Sequence, residues 1–257
     1  VQSDHDRWIL TCKQASRSPS ITLICFPYAG GSPEVFRSWA EGLRDSVEVI
    51  TVRLPGRGPR IKEAVYESWG PLLTDLSAVF SPYLERPHAL YGHSFGARLA
   101  YEVAHHAGAE HPGRTRRLFV SGCRSPDAPQ ARPYMHDLPD DAFRDVLLHM
   151  GGTPPELLGD DRLMRLLLPA IRSEIRLAEL WGDRHGTGVD VPITAVYGRT
   201  DPIDNEPSMA GWRGFSRRGF ELIEVAGGHF FPLTHHPQLL DTLNSRLGAS
   251  GGPAELW

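Results

Sequence analysis

The chain has 257 residues, 40% of them hydrophobic and 23% charged, with 27 basic against 31 acidic side chains and a net charge of −4. That composition excludes a disordered chain or a coiled coil, and its acidic balance argues against a general nucleic-acid binder. A chain this long buries roughly 70–75% of its unfolded surface, so a single core needs no staples. Residues 1–20 are polar and hold no apolar centre of a signal peptide. From there short apolar runs alternate with helical patterns. Strands are predicted at 21–26, 47–52, 88–91, 118–121, 193–197 and 220–225, and helices at 33–43, 72–84, 95–106, 206–212 and 237–247. The strands are β-branched and aromatic-rich and mostly continuous rather than alternating, as parallel strands buried on both faces should be. Strand–helix alternation of this kind predicts an α/β fold with a doubly wound, mostly parallel sheet.

One interval breaks the rhythm. About seventy residues separate Ser121 from Ile193, where a strand–helix unit needs a short loop and one helix. Two helical patterns fill it, 140–149 and 155–181, and the second is apolar nearly all round. It reads either as a buried core helix or as part of an inserted helical cap over residues 126–187, lining an apolar site. The whole chain, 1–257, is expected to form one domain, and 248–257 reads as a loose tail. Cys12, Cys25 and Cys123 stand too far apart for a disulfide framework or a zinc site, which fits a reducing, cytoplasmic setting. No apolar run approaches the 18 residues of a membrane span.

Chemistry enters at Gly92-His93-Ser94-Phe95-Gly96. A Gly-x-Ser-x-Gly match is weak alone, but this one lies between a short apolar strand and a helix. That is the setting in which a strained turn lifts a serine oxygen above a sheet. A serine hydroxyl needs a base, and the base needs an orienting acid; on this fold the chain order is Ser, acid, His. His229, in Ala226-Gly227-Gly228-His229, directly follows a strand, whereas His235 and His236 precede Pro237 and read as the start of a surface helix. Asp201 follows the preceding strand, with Asp204 as the alternative acid three residues on. An oxyanion hole takes one N–H from the residue after the nucleophile, Phe95. The second should come from the loop Phe26-Pro27-Tyr28-Ala29-Gly30-Gly31-Ser32, where Ala29 is preferred and Tyr28 is next.

Five ordered motifs now carry a resemblance. Cys25 to Ser32, Leu54-Pro55-Gly56-Arg57-Gly58, Gly92 to Gly96, Gly151-Gly152-Thr153-Pro154 and Gly227-Gly228-His229-Phe230-Phe231 together resemble type II thioesterases, from about Ile21 to Leu247. These are stand-alone α/β-hydrolases that accompany polyketide synthases and non-ribosomal peptide synthetases. The resemblance implies hydrolysis of blocking or aberrant acyl groups from the phosphopantetheine arm of an acyl or peptidyl carrier protein; the two-step serine mechanism needs no metal or other cofactor, and a monomer is expected. It implies a helical cap, and Ser94, Asp201 and His229 as catalytic serine, acid and base. Phe95 stands where the family commonly has Met, which bears on pocket width. Tyr28, Phe95, Met164 and Phe230 are the substrate-binding candidates. Nucleic acid and membrane are not expected partners.

Carriers of these pathways are acidic around the phosphopantetheine serine, so basic residues on the catalytic edge are docking candidates. Arg57, Arg60 and Arg124 follow strands and fall on that edge, as does Arg199, whereas Arg116, Arg117, Arg217 and Arg218 precede theirs. Competing readings are a medium-chain fatty-acyl thioesterase, a carboxylesterase acting on small esters, and a non-catalytic carrier-binding module.

Overall fold

The computed structural model describes residues 4–130 and 133–248. Its strands are β1 (Ile9–Lys13), β2 (Ile21–Phe26), β3 (Val47–Val52), β4 (His88–His93), β5 (Thr115–Ser121), β6 (Ile193–Gly198) and β7 (Phe220–Val225). They form one sheet in the order β1-β3-β2-β4-β5-β6-β7. Strands β2 to β7 pair in parallel. The α-helices are α1 (Asp4–Trp8), α2 (Trp69–Leu84), α3 (Phe95–Glu110), α4 (Asp140–Met150), α5 (Pro155–Leu158), α6 (Asp161–Glu179), α7 (Glu206–Ala210), α8 (Phe231–Thr234) and α9 (His236–Leu247). Among the described residues no helix is long and apolar enough to cross a membrane.

Because side chains alternate across a strand, β2 and β4 feed two cores. Ile24, Phe26 and Leu90 pack on one face with Leu76 and Phe80 of α2 and Leu99 of α3. Leu23, Cys25, Ala89 and Tyr91 pack on the other with Trp39 and with Leu239 and Leu243 of α9. Both strands are buried along their whole length, which explains their largely apolar sequences without a charged Asp, Glu, Lys or Arg. The chain leaves β2 for β3 on one side and returns to β4 on the other. Crevices at the carboxyl ends of such diverging strands are where open α/β sheets bind ligands.

Several expectations need correcting. The N-terminal segment, read as polar and given no predicted strand, supplies β1, which pairs antiparallel with β3 through Ile9 opposite Val52 and Leu10 opposite Thr51. Five residues with Lys13 at the end are too short and polar to register as a strand, yet suit a sheet edge. The predicted 33–43 helix is a 3₁₀ turn, Pro33–Trp39, and 206–212 divides into α7 and a 3₁₀ turn, Gly211–Phe215. The 155–181 helix is two helices. Asp160 interrupts it, its side chain accepting the Arg162 and Leu163 N–H groups at 3.0 and 2.9 Å as an N-cap of α6.

Nor is α6 apolar all round. Met164, Leu168, Ile171 and Ile175 form one buried stripe, while Leu166 is 50% exposed. That stripe packs with Phe143 and Leu147 of α4 and Leu158 of α5 into a third cluster, separate from the two sheet cores. The predicted tail lies outside the described residues beyond Gly248.

Candidate active site

Ser94 sits between β4 and α3 with φ 55° and ψ −114°, and it is the single non-glycine with positive φ among the described residues. A bulky neighbour could not tolerate that turn. A Cβ on Gly92 would collide with the Gly96 carbonyl, and one on Gly96 with the Phe26 carbonyl. The two flanking glycines therefore let strand, helix and the β2 loop meet. The Ser94 N–H donates to the Ser121 carbonyl at 2.8 Å, tying the elbow to β5.

His229 follows β7 on the glycine pair, and Asp201 follows β6. Their loops are laced together by Thr200 N–H donating to Gly227 O at 3.0 Å and Arg199 N–H to Val225 O at 2.9 Å, while Asp201 N–H turns back to Gly198 O at 2.9 Å within its own loop. His229 is buried and its Nδ1–H donates to Asp201 Oδ2 at 2.8 Å. The second carboxylate oxygen accepts the N–H groups of Ile203 at 2.7 Å and Asp204 at 3.1 Å. Asp204 faces elsewhere, accepting the Arg124 N–H at 2.9 Å. Of the two candidate acids, Asp201 is the one brought to the histidine.

Ser94 and His229 border one cavity of about 440 Å³, together with Tyr28, Ala29, Phe95 and Phe230. Tyr28 and Phe230 meet edge to face at 4.9 Å, and Tyr28 Oη donates to the Gly152 carbonyl at 3.2 Å. A Cβ on Gly152 would strike the Phe230 ring, so the Gly151-Gly152 turn closes directly on the aromatic pair. The N–H groups of Ala29 and Phe95 make no hydrogen bond to another described residue. The next N–H along, Gly30, is taken by Glu174 Oε2 at 2.8 Å.

Two sets of candidates land elsewhere. Met164 is fully buried in the cluster of α4 to α6 and does not border the cavity. The methionines that do are Met135 and Met150, together with Leu147 and Ile175. The docking arginines are structural. Arg57 is 7% exposed and paired with Glu174; Arg60 is 3% exposed, paired with Glu63 and stacked 3.8 Å over Trp8. Arg124 does border the cavity, but it is 9% exposed and its guanidinium donates to the carbonyls of Ala128 and Trp181. Strand-end topology assigns a residue to an edge of the sheet and says nothing of its depth. Arg199 is exposed but bonded to Glu224 at 2.7 Å.

His93 was not singled out from the sequence. It is buried, its ring lies 5.0 Å from that of His229, and Nδ1 shares a 2.7 Å hydrogen bond with Ser121 Oγ. Burial first, and the neighbouring His229 second, push its pKa well below the ordinary histidine value, so it stays neutral. Nothing local in Gly-His-Ser signals this, because the partner comes from β5.

The comparisons with known proteins agree with this geometry. A family model described as the thioesterase domain matches residues 21–247. Thioesterase PikA5 of Streptomyces venezuelae is 36% identical over 229 residues, covering 89% of this chain and 81% of that protein. The structure of RedJ, a thioesterase from the prodiginine biosynthetic pathway in Streptomyces coelicolor, superposes with a TM-score of 0.81 at 36% identity, covering 91% of this chain and 94% of that one. The type II thioesterase BorB from the borrelidin biosynthetic cluster gives a TM-score of 0.85 at 32% identity, with 96% and 99% covered.

Proposed function

The chain belongs to the thioesterase domain family and is a hydrolase of acyl thioesters with an α/β-hydrolase fold, and on that premise we propose how it works and on what. Its substrate is an acyl group on the phosphopantetheine arm of a carrier protein of a polyketide or non-ribosomal peptide synthase. Ser94 is the nucleophile. His229 Nε2 takes the hydroxyl proton as Ser94 Oγ attacks the thioester carbonyl, and Asp201 holds the imidazole by Nδ1 and stabilises its charged form. The tetrahedral oxyanion is received by the free N–H groups of Ala29 and Phe95. Collapse expels the thiol, protonated by His229, and leaves an acyl-Ser94 ester. Water, deprotonated by His229, then releases the carboxylic acid and restores Ser94.

One observation carries this reading: a strained serine shares a cavity with a histidine whose far nitrogen is already fixed by a buried carboxylate. The segment 126–187 acts as a lid, a role supported by Met135, Leu147 and Ile175 bordering the cavity from outside the sheet. Tyr28, Phe95 and Phe230 bind the acyl chain near the serine. The protein acts as a monomer in the cytoplasm, without nucleic acid or membrane as partner; three free thiols, Cys12, Cys25 and Cys123, suit that reducing compartment.

The test compares acyl-carrier, acyl-N-acetylcysteamine and nitrophenyl-ester substrates. The carrier should give the highest kcat/KM, and Ser94→Ala should abolish fluorophosphonate labelling together with turnover of all three. Preference for the nitrophenyl ester, or full labelling of Ser94→Ala, would overturn the proposal.

A further inference from the structure

Arg98 lies in the first turn of α3, four residues after Ser94, which immediately precedes the helix, and both residues border one cavity. It is 5% exposed, and what remains accessible borders the same cavity as Ser94 and His229. Its Nε is fully enclosed without a hydrogen-bond partner, and no hydrogen bond or ion pair joins its guanidinium to another described residue. Arg98 Cζ lies over the Trp181 ring, 5.5 Å from its centroid, a cation–π contact that supplies no oxygen acceptor for the N–H groups.

The other charged groups around the cavity are engaged. Arg124 donates to the carbonyls of Ala128 at 3.1 Å and Trp181 at 3.4 Å. Glu179 accepts the N–H groups of Met135 at 2.8 Å and His136 at 3.2 Å, and pairs with the His136 ring at 2.5 Å. Asp204 accepts the Arg124 N–H. Arg98 alone among these brings donors to the cavity that the fold leaves unused. A guanidinium has five N–H donors, no acceptor, and no neutral form to retreat to. Burying it unpaired is costly unless a ligand or water takes those donors.

We infer that the acyl pocket selects acyl groups carrying an oxygen acceptor a few bonds beyond the thioester carbonyl, and that Arg98 is the specificity-determining residue. This rests on the thioesterase reading, since Ser94 fixes where the carbonyl sits. A β-keto or carboxyl oxygen would lie within reach of the guanidinium edge while Met135, Met150 and Ile175 cover the carbon chain. A plain alkyl chain of equal length would strip water from Arg98 and return nothing.

The test uses acetoacetyl-, malonyl- and butyryl-N-acetylcysteamine with the intact protein, Arg98→Met and Arg98→Lys. Acetoacetyl and butyryl share chain length, and comparing variants cancels the greater intrinsic reactivity of the keto thioester. The kcat/KM ratio of oxygenated to butyryl substrate should fall by roughly 10- to 100-fold in Arg98→Met, mostly through KM. Arg98→Lys, which keeps charge but loses the fork, should fall between. A drop on both oxygenated substrates assigns a hydrogen bond to oxygen in general; a drop on malonyl alone assigns an anion. Equal losses on all three, or ratios that do not move while butyryl is still hydrolysed, would remove Arg98 and leave the hydrolase reading intact. No turnover of any thioester by the unaltered protein would remove both.

Discussion

At Asp201 the two carboxylate oxygens have different duties, and this separates it from Asp204. Oδ2 holds the His229 Nδ1–H, while Oδ1 gathers two backbone N–H groups of its own loop. Asp201→Asn keeps the loop acceptor but turns an amide toward His229, favouring the wrong tautomer. We expect kcat to fall by about 10⁴-fold with the fold retained. Asp204→Asn keeps an acceptor for the Arg124 N–H, so kcat should change only a few-fold. Steady-state rates and circular dichroism on both variants check this; the reverse order would exchange the two roles. Ser94, Asp201 and His229 were legible because each follows a strand on a glycine-rich or polar turn. Arg98 and His93 were not: one reads as a helix arginine and the other as filler in a motif. What distinguishes them is a missing or distant partner, Ser121 for His93 and none for Arg98, and that exists only after folding.

Between elements, the connection of most consequence joins α6 to the loop after β2. Glu174 of α6 accepts the Gly30 N–H with one oxygen and Arg57 with the other, and Arg57 also donates to the Gly31 carbonyl. Gly30, at φ 74°, lies so near Ile171 that an added Cβ would sit 2.8 Å from Cγ1. The loop that offers Ala29 is thus clamped from above by a helix far away in sequence. Glu174→Gln leaves the Arg57 charge buried without a counter-ion and sets an amide donor against one of two donors. It should cost about 3–5 kcal/mol of stability. If the clamp also aims the Ala29 N–H, kcat should drop by about 10²-fold with little change in KM. Urea midpoints and kcat measured on the same preparation separate the two effects; lowered stability with unaltered kcat would confine the pair to the fold. None of this was readable beforehand, since Arg57 was read as a docking cation and its partner Glu174 lies 117 residues away in sequence. The elements were more legible than their contacts. Parallel strands announce themselves by unbroken apolar runs, whereas the break before α6 turns on one Asp160 side chain, and β1 exists only because β3 offers it an edge.

Across the whole molecule, several histidines fold in the neutral state, and this sets how stability responds to acid. Burial lowers His88 to about 4, with His111 and Arg116 nearby adding to the effect and the Arg86 carbonyl opposing it. Burial likewise lowers His105 to about 4, helped by His185 stacked at 3.6 Å and opposed by Asp183. His93 lies well below the usual value for the reasons already given. In the unfolded chain each would titrate near 6.5. Above that pH neither state binds the proton and the native state is unpenalised. As pH falls from about 6.5 toward 4 the unfolded chain takes up protons that the folded one refuses, so stability declines. Each such histidine steepens the decline by up to about 1.4 kcal/mol per pH unit. Below about 4 His88 and His105 are charged in both states and add no further loss. The window from pH 6.5 to 5 isolates these groups, because carboxylates such as Glu63, held below 4.5 by Arg60 and Arg7, begin to matter only at lower pH. Urea unfolding at pH 7, 6 and 5 should therefore show a falling free energy, and His105→Gln should flatten the slope. A profile flat over that range, or a slope that His105→Gln leaves untouched, would mean that the buried rings gain their protons without opening the fold.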